Sequence, residues 1–256
     1  MLETKQFYDD LAAHYHLIFE DWEASMARQG GVLTDLITGQ LGRAAPTAPR
    51  VLDAACGIGT QTLPLAARGF RLVARDLSPK AVARLKREAD AKGLEVDVAV
   101  ADMRHVRESV SGEFDVVLVF DNSLAHLHSD DDLRAAFQEF LSVLRQGGVF
   151  LCSVRDYDRV QRGEPATHMY GSRQYAGERY HLRQEWEWDD PTHYQATFII
   201  DRETPSGLVR ELCTKGQFYA VSTGRLLELM REAGFQNCRR VDEMFYQPIL
   251  TGRKGT

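Results

Sequence analysis

The stretch VLDAACGIGT, Val51 to Thr60, sets residue types at a spacing that could hold a nucleotide-like ligand. Val51 and Leu52 read as an apolar strand. Gly57 and Gly59 let the backbone bend sharply, and they let a ligand approach where a Cβ would collide. Thr60 to Arg68 then has helical composition, with Pro64 restricting it to a distorted early turn. A strand-to-helix turn of this kind is where open α/β sheets place such ligands.

Charge decides which ligand. A dinucleotide site needs G-x-G-x-x-G under a pyrophosphate, and here the third glycine is absent. Asp53, just ahead of the turn, repels phosphate and suits a cationic end such as a methionine ammonium. Asp76 closes the next apolar strand, FRLVARD, 17 residues after Gly59 (76 − 59). A carboxylate there can accept both hydroxyls of an unphosphorylated ribose. A ribose, no phosphate and a cationic amino-acid end describe S-adenosylmethionine (SAM). The two motifs resemble the first two of the class I SAM-dependent methyltransferases. The rival readings are an NAD site, which Asp53 and the missing glycine disfavour, or an ordinary turn of an α/β domain.

Composition narrows the partners. Of the 256 residues 27% are charged and 44% apolar, the balance of a soluble globule large enough for a sizeable core. The net charge of −6 comes with no basic run, which excludes a nucleic-acid substrate as an expectation. No apolar stretch reaches membrane-spanning length, and MLETKQFYDD has no signal-peptide pattern. Cys56, Cys152, Cys213 and Cys238 are far apart and form no CxxC. A reduced, cytoplasmic protein is the expectation. The histidines show no metal spacing, so no metal is expected.

These residues need elements to position them. Glu3–Tyr15 and Trp22–Leu41 read as helices, and Ala44–Pro49 as a linker by its prolines. Strand and helix then alternate: Arg50–Ala54, Arg71–Arg75, a helix Pro79–Lys92, Val96–Ala101, Phe114–Phe120, a helix Asp130–Arg145, and Val149–Val154. This predicts a doubly wound sheet. Beyond Val154 the period becomes two: Tyr180, Leu182, Trp186 and Trp188 alternate with polar residues. Tyr194, Ala196, Phe198 and Ile200 repeat the pattern after a DDPT turn. Two antiparallel strands, with a third at Leu208–Thr214, are expected. A helix over Thr223–Ala233 and strands at Cys238–Met244 and Pro248–Arg253 close the chain. The expected class is α/β: a Rossmann-like, seven-stranded doubly wound sheet with an N-terminal helical lid and an antiparallel insertion. In residues, 1–45 are the lid, 46–155 the cofactor-binding core, 156–220 the substrate-covering insertion, and 221–256 the final helix and hairpin of the core.

Three further stretches carry a narrower resemblance: FDNSLAHL (Phe120–Leu127), SVRDYDRV (Ser153–Val160) and QFYAVSTG (Gln217–Gly224). With the glycine-rich turn, they resemble glycine N-methyltransferase and its bacterial amino-acid N-methyltransferase relatives. The family's NSxAHL falls on Asn122–Leu127, and its R-N-Y-D on Arg155–Asp158 with Asp156 for Asn. The resemblance implies that Arg155 holds a substrate carboxylate, that Asn122 sits beside the reacting amine, and that Tyr219 lines the substrate pocket. For the cofactor it implies Asp76 on the ribose, Asp102 and Met103 on the adenine, and Arg28 on the methionine carboxylate. Tyr15, Asp53, Ala55, Gly57, Gly59, Leu77 and Phe120 complete the expected cofactor set, with S-adenosylhomocysteine (SAH) as product.

Each assignment has a plainer alternative. Arg155 could pair on the surface with Asp156 or Asp158, Asn122 could be a turn residue, Tyr219 plain core, and His126 is structural rather than a base. Asp121 stands where the glycine enzymes carry glycine, so it could favour a more cationic or larger amine, or point at the cofactor. The arm that ties mammalian members into tetramers has no counterpart, which leaves the oligomeric state open. The expected function is SAM-dependent methylation of the amine of a small, carboxylate-bearing substrate. The alternatives are O- or C-methylation of another small metabolite, or SAM binding without catalysis.

Overall fold

The computed structural model describes residues 2–42 and 46–255. Ala44 and Ala45 of the expected linker lie outside the described residues. The chain opens with helix α1 (Leu2–Leu11), a 3₁₀ turn at Tyr15–Ile18 and helix α2 (Trp22–Leu41), capped by the Asp21 side chain on the Ala24 amide. The first helix ends four residues earlier than its apolar spacing predicts (15 − 11). Arg84 explains this, because its Nη1 donates to the Ala12 and Ala13 carbonyls that a continuing helix would use.

The core follows in alternation: β1 (Arg50–Asp53), α3 (Thr62–Ala66), β2 (Arg71–Asp76), α4 (Pro79–Ala91), β3 (Val96–Val100), β4 (Phe114–Val119), α5 (Asp130–Val143) and β5 (Leu144–Ser153). Four antiparallel strands come next: β6 (Ala166–Tyr175), β7 (Glu178–Trp188), β8 (His193–Thr204) and β9 (Gly207–Tyr219). Helix α6 (Thr223–Glu232) and strands β10 (Gln236–Val241) and β11 (Ile249–Arg253) end the chain. The large sheet has seven strands in the order β10-β11-β5-β4-β1-β2-β3. Its first five strands pair in parallel, and β11 is antiparallel to both neighbours. The order reverses at β1, so the carboxyl ends of β1, β2 and β4 open on one crevice.

Strands buried on both faces need continuous apolar runs, and β4, FDVVLV, is buried at every position. One face packs on α5 and α6 through Phe137, Phe140, Leu226 and Met230, and the other on α2 through Leu33 and Ile37. Helix α5 forms where expected, with Ser129 capping the Asp132 amide and three aspartates at its positive end.

The second sheet, in the order β6-β7-β8-β9, has one strand more than expected. Strand β6, ATHMYGSRQY, lacks an apolar alternation because it is a half-exposed edge strand whose side chains bury little. One part of this sheet packs on α1: Phe7 and Leu11 meet Leu182, Phe198 and Ile200. Another part, Trp186, Tyr194 and Phe218, packs on Tyr157 and Ala125 from the loops at the carboxyl ends of β5 and β4. The insertion therefore lies against the crevice, and α1 is held to it.

The Phe7 ring lies on Gly216, where an added Cβ would come within 3.1 Å of it. Phe7→Ala should undock α1 at a local cost of about 3–5 kcal/mol. Hydrogen exchange should then show faster exchange across Leu2–Leu11 with β4 and β5 unchanged. Undiminished protection of α1 would show that it is held by something else.

Candidate active site

Two cavities meet at this crevice. The first is lined by the glycine-rich turn (Ala54 to Ile58), the end of β2 (Asp76, Leu77), the loop after β3 (Asp102, Met103), and Tyr8 and Tyr15 from the N-terminal segment. The second, about 640 Å³, is lined by α1, α2, Asn122, Arg155, Tyr170 and the loop before β11. Of the described residues, Tyr8, Tyr15 and Asp121 border both.

The turn after β1 is built around two acids with different tasks. Asp76 accepts the Gly57 amide on Oδ2 and the Ser78 amide on Oδ1, both at 2.8 Å, and keeps lone pairs facing the first cavity. Burial raises its pKa, with these amides and that of Leu77 pulling the other way. Gly57 needs to be glycine for its φ of +50, and the space beside it is open. Gly59 shares that need, with a φ of +99, and has a second reason. An added Cβ would meet Leu85 at 2.4 Å, so it serves the packing of α3 on α4 and does not line the cavity.

Asp53 also lies off the cavity wall. It is 1% exposed, and its oxygens accept from the Thr62 hydroxyl at 2.6 Å and the Ala55 amide at 3.4 Å. Its charge is spent on fastening the turn to α3. Burial lifts its pKa to about 7. Phe120, likewise buried, packs edge-on against Phe245 and lines neither cavity.

The loop after β4 is strained. Asp121 and Asn122 take φ of +55 and +66, a left-handed conformation that costs a non-glycine residue free energy. Ser153 holds the strain: its hydroxyl accepts the Asp121 amide and its carbonyl the Asn122 amide. Asn122 is both the turn residue and a wall of the second cavity. Its Nδ2 donates to the Tyr157 hydroxyl at 2.8 Å, and its Oδ1 accepts the Arg155 amide at 3.0 Å.

Arg155 is not the surface ion pair of the plainer alternative. Asp156 pairs with Arg240 and Arg159. Among the described residues no carboxylate meets Arg155, and its buried Nε has no hydrogen-bond partner. Its guanidinium lies over the Trp186 ring at 4.6 Å and borders the second cavity.

Arg28 is on the exposed side of α2, donates to Ser25, and borders the second cavity rather than the first. Tyr219 borders neither: its hydroxyl donates to Asp130 at 2.9 Å and its ring stacks on His193. The first cavity thus brings together Tyr15, Ala55, Gly57, Asp76, Leu77, Asp102 and Met103 of the expected residues. Tyr8 and Gln61, not among the expected site residues, complete the walls, as does Asp121, which stands where the glycine enzymes carry glycine. A hydrogen bond of 2.7 Å joins the Tyr8 hydroxyl to His126, whose pKa burial lowers to about 3, so the imidazole is neutral.

These residues fit SAM. Thr4 Oγ1 is buried on the first cavity with no partner among the described residues, and Asp76 lines the same cavity. The Asp76 carboxylate gives this cleft a negative character suited to a cationic ligand. Asp102 lines the far end, held by Arg104 at 2.8 Å.

The methyltransferase domain family matches residues 51–148. The fold is shared with the SAM-bound amino pentose methyltransferase of Micromonospora echinaspora, at a TM-score of 0.75, 17% identity, and coverage of 90% of this chain and 92% of that one. The chain is a class I SAM-dependent methyltransferase. It resembles the glycine/sarcosine N-methyltransferase of Parasynechococcus marenigrum, with 29% identity over 84% of this chain and 71% of the relative. It also resembles the glycine/sarcosine/dimethylglycine N-methyltransferase of Actinopolyspora halophila, with 30% identity over 84% of this chain but 35% of that protein. Among the described residues no helix is long and apolar enough to cross a membrane, and no acid, His or Cys cluster could hold a metal.

Two predictions follow from the turn. Asp76→Ala should weaken SAH by the loss of two charge-assisted hydrogen bonds, about 1.5–3 kcal/mol each; unchanged affinity in calorimetry would mean that Asp76 does not hold the ribose. Asp53 has a folded pKa raised above its unfolded value, so its contribution to stability is fully present below about pH 4 and fades as pH rises to about 7. Asp53→Asn should flatten that part of the Tm–pH profile. Parallel profiles would show that Asp53 is ionised throughout.

Proposed function

We propose that the enzyme methylates the amine of a small substrate carrying a carboxylate, of the glycine or sarcosine type. The observation that supports this most is Arg155: a half-buried guanidinium with no acidic partner among the described residues, bordering the cavity next to the cofactor cleft. A cation without a counterion in such a place is costly unless a ligand supplies the anion. Guanidinium binds carboxylate through two parallel hydrogen bonds, which fixes the direction of the amine on the next carbon. The relatives named as glycine/sarcosine N-methyltransferases point to the same acceptor.

SAM supplies an activated methyl group, and the protein's contribution is alignment and exclusion of water. Alignment alone can be worth roughly 7–11 kcal/mol in favourable cases. Arg155 would anchor the acceptor, with Asn122 and Tyr157 fixing the loop beneath it. Tyr8 and Tyr15, which border both cavities, would frame the passage through which nitrogen meets methyl. Asp76, Asp102, Met103, Leu77, Ala55 and Gly57 would hold the cofactor. Tyr219 would act at a distance, by tying β9 to the start of α5 through Asp130.

The cavity supports a second reading. At about 640 Å³ it is far larger than glycine needs. A bulkier amine, such as an aminosugar or a large amino acid, would fill it better, and the fold is shared with an amino pentose methyltransferase.

A methyl-transfer screen with labelled SAM against glycine, sarcosine, larger amino acids and aminosugars separates the two. In the carboxylate reading, Arg155→Lys loses most of kcat/KM while SAH affinity is unchanged, because lysine keeps charge but not the two-pronged donor. An Arg155→Lys enzyme with near-full activity, or a best substrate without a carboxylate, would overturn it.

A further inference from the structure

The Asp121 carboxylate sits where the two cavities join, and its immediate partners are neutral. Gln61, itself held by Gln29 at 2.7 Å, donates to Oδ2 at 3.1 Å, and the Tyr246 hydroxyl donates to Oδ1. Among the described residues no Lys or Arg pairs with it. Strain and a network are invested in presenting it: the left-handed backbone at Asp121, the Ser153 hydroxyl on its amide, and Gln247 on that hydroxyl at 2.9 Å. An uncompensated carboxylate held at a junction of cavities calls for a cation from outside.

We infer that Asp121 binds the acceptor's ammonium group and takes its proton, so that the nitrogen enters methyl transfer with a free lone pair. This rests on the acceptor being an amine with a carboxylate, and it gives that substrate two fixed ends. Arg155 takes the carboxylate, Asp121 the ammonium, and Asn122 stands between them in the fold.

The step balances without another reagent. An N–H proton passes to the Asp121 carboxylate, and the freed pair forms the bond to the methyl carbon. The carbon–sulfur bond breaks with its electrons going to sulfur, leaving SAH and a methylated ammonium. The proton on Asp121 has a way out through Tyr246, which is 61% exposed and belongs to the loop before β11.

The charged and titratable surroundings are compatible with this exchange. Tyr8 and Tyr15 face Asp121 from the N-terminal segment, both with pKa values raised by burial and by this carboxylate, so they remain neutral. Asp53 and Asp76 lie behind it at the strand ends, with Arg28 of α2, Arg155 after β5, and Glu243 beside Tyr246 on the second cavity. Burial raises the pKa of Asp121 itself, while Tyr246 and Gln61 oppose that rise. A carboxylate raised by burial is a better proton acceptor than an exposed one.

The test uses Asp121→Asn, because asparagine tolerates the left-handed backbone and keeps an acceptor for Tyr246. Calorimetry on the SAH-saturated enzyme compares sarcosine with methoxyacetate, which has the same shape and carboxylate but no amine. Wild type should prefer sarcosine, and Asp121→Asn should lose about tenfold or more of sarcosine affinity, while methoxyacetate and SAH bind as before. In turnover, the acid limb of kcat/KM should move to higher pH, toward the ionisation of the free amine. Equal binding of sarcosine and methoxyacetate by wild type would overturn the role of Asp121 alone. Weakened SAM with unchanged SAH in the variant would do so too, since the carboxylate would then face the sulfonium. A wild type that binds neither acid would sink the glycine/sarcosine-type reading and this inference with it.

Discussion

The hydrogen bond from the Gly57 amide to Asp76 is the contact on which the cofactor cleft depends. It ties the sharp turn after β1 to the carboxyl end of the neighbouring strand β2. Gly57 can make it only at positive φ, and Asp76 can make it only because a second amide, from Ser78, shares the cost of burying the carboxylate. The N-terminal arm is fastened at the same corner. Asp9 of α1 accepts from the Ser78 hydroxyl at 2.6 Å and from the Lys80 amide at 3.1 Å, at the start of α4. One corner therefore positions the turn, Asp76 and the arm that carries Tyr8 and Tyr15.

This is why so much of the candidate site could be read from the chain. The demands on the turn are local: an apolar strand, an acid, glycines at fixed offsets, and a second acid closing the next strand. What local reasoning misjudged was direction. Asp53 and Gly59 have the right identities, but one points at Thr62 and the other at Leu85, because an acid ahead of a turn and a glycine inside it can each serve packing as well as a ligand. The seven-stranded sheet was legible for a similar reason, since strands buried on both faces write continuous apolar runs.

The rest was illegible because distant segments create it. Strand β6 carries no period of two, so only pairing with β7 reveals it. Tyr8 is one aromatic among several in its helix until His126, 118 residues away, meets its hydroxyl. Tyr246 reaches Asp121 over a separation of 125 residues. Tyr219 shows the converse: a tyrosine at a suggestive place in the chain, turned away from the cavity by Asp130 and His193.

The distribution of charge around the two cavities gives the arrangement its logic. The first cavity presents acids and neutral aromatic hydroxyls, and the second adds Arg155 against the face of Trp186. A sulfonium loses its positive charge as its methyl leaves, so a strongly anionic group pressed on sulfur would favour the ground state over the transition state. Asp53 is withdrawn behind the turn and Asp76 is engaged by two amides, which leaves the neutral tyrosines nearest the junction together with one acid, Asp121. Placing that acid on the nitrogen's side of the passage would avoid the penalty, because there the positive charge grows as the new bond forms. The strain accepted at Asp121 and Asn122 is then intelligible as the cost of presenting a carboxylate to the acceptor instead of to sulfur.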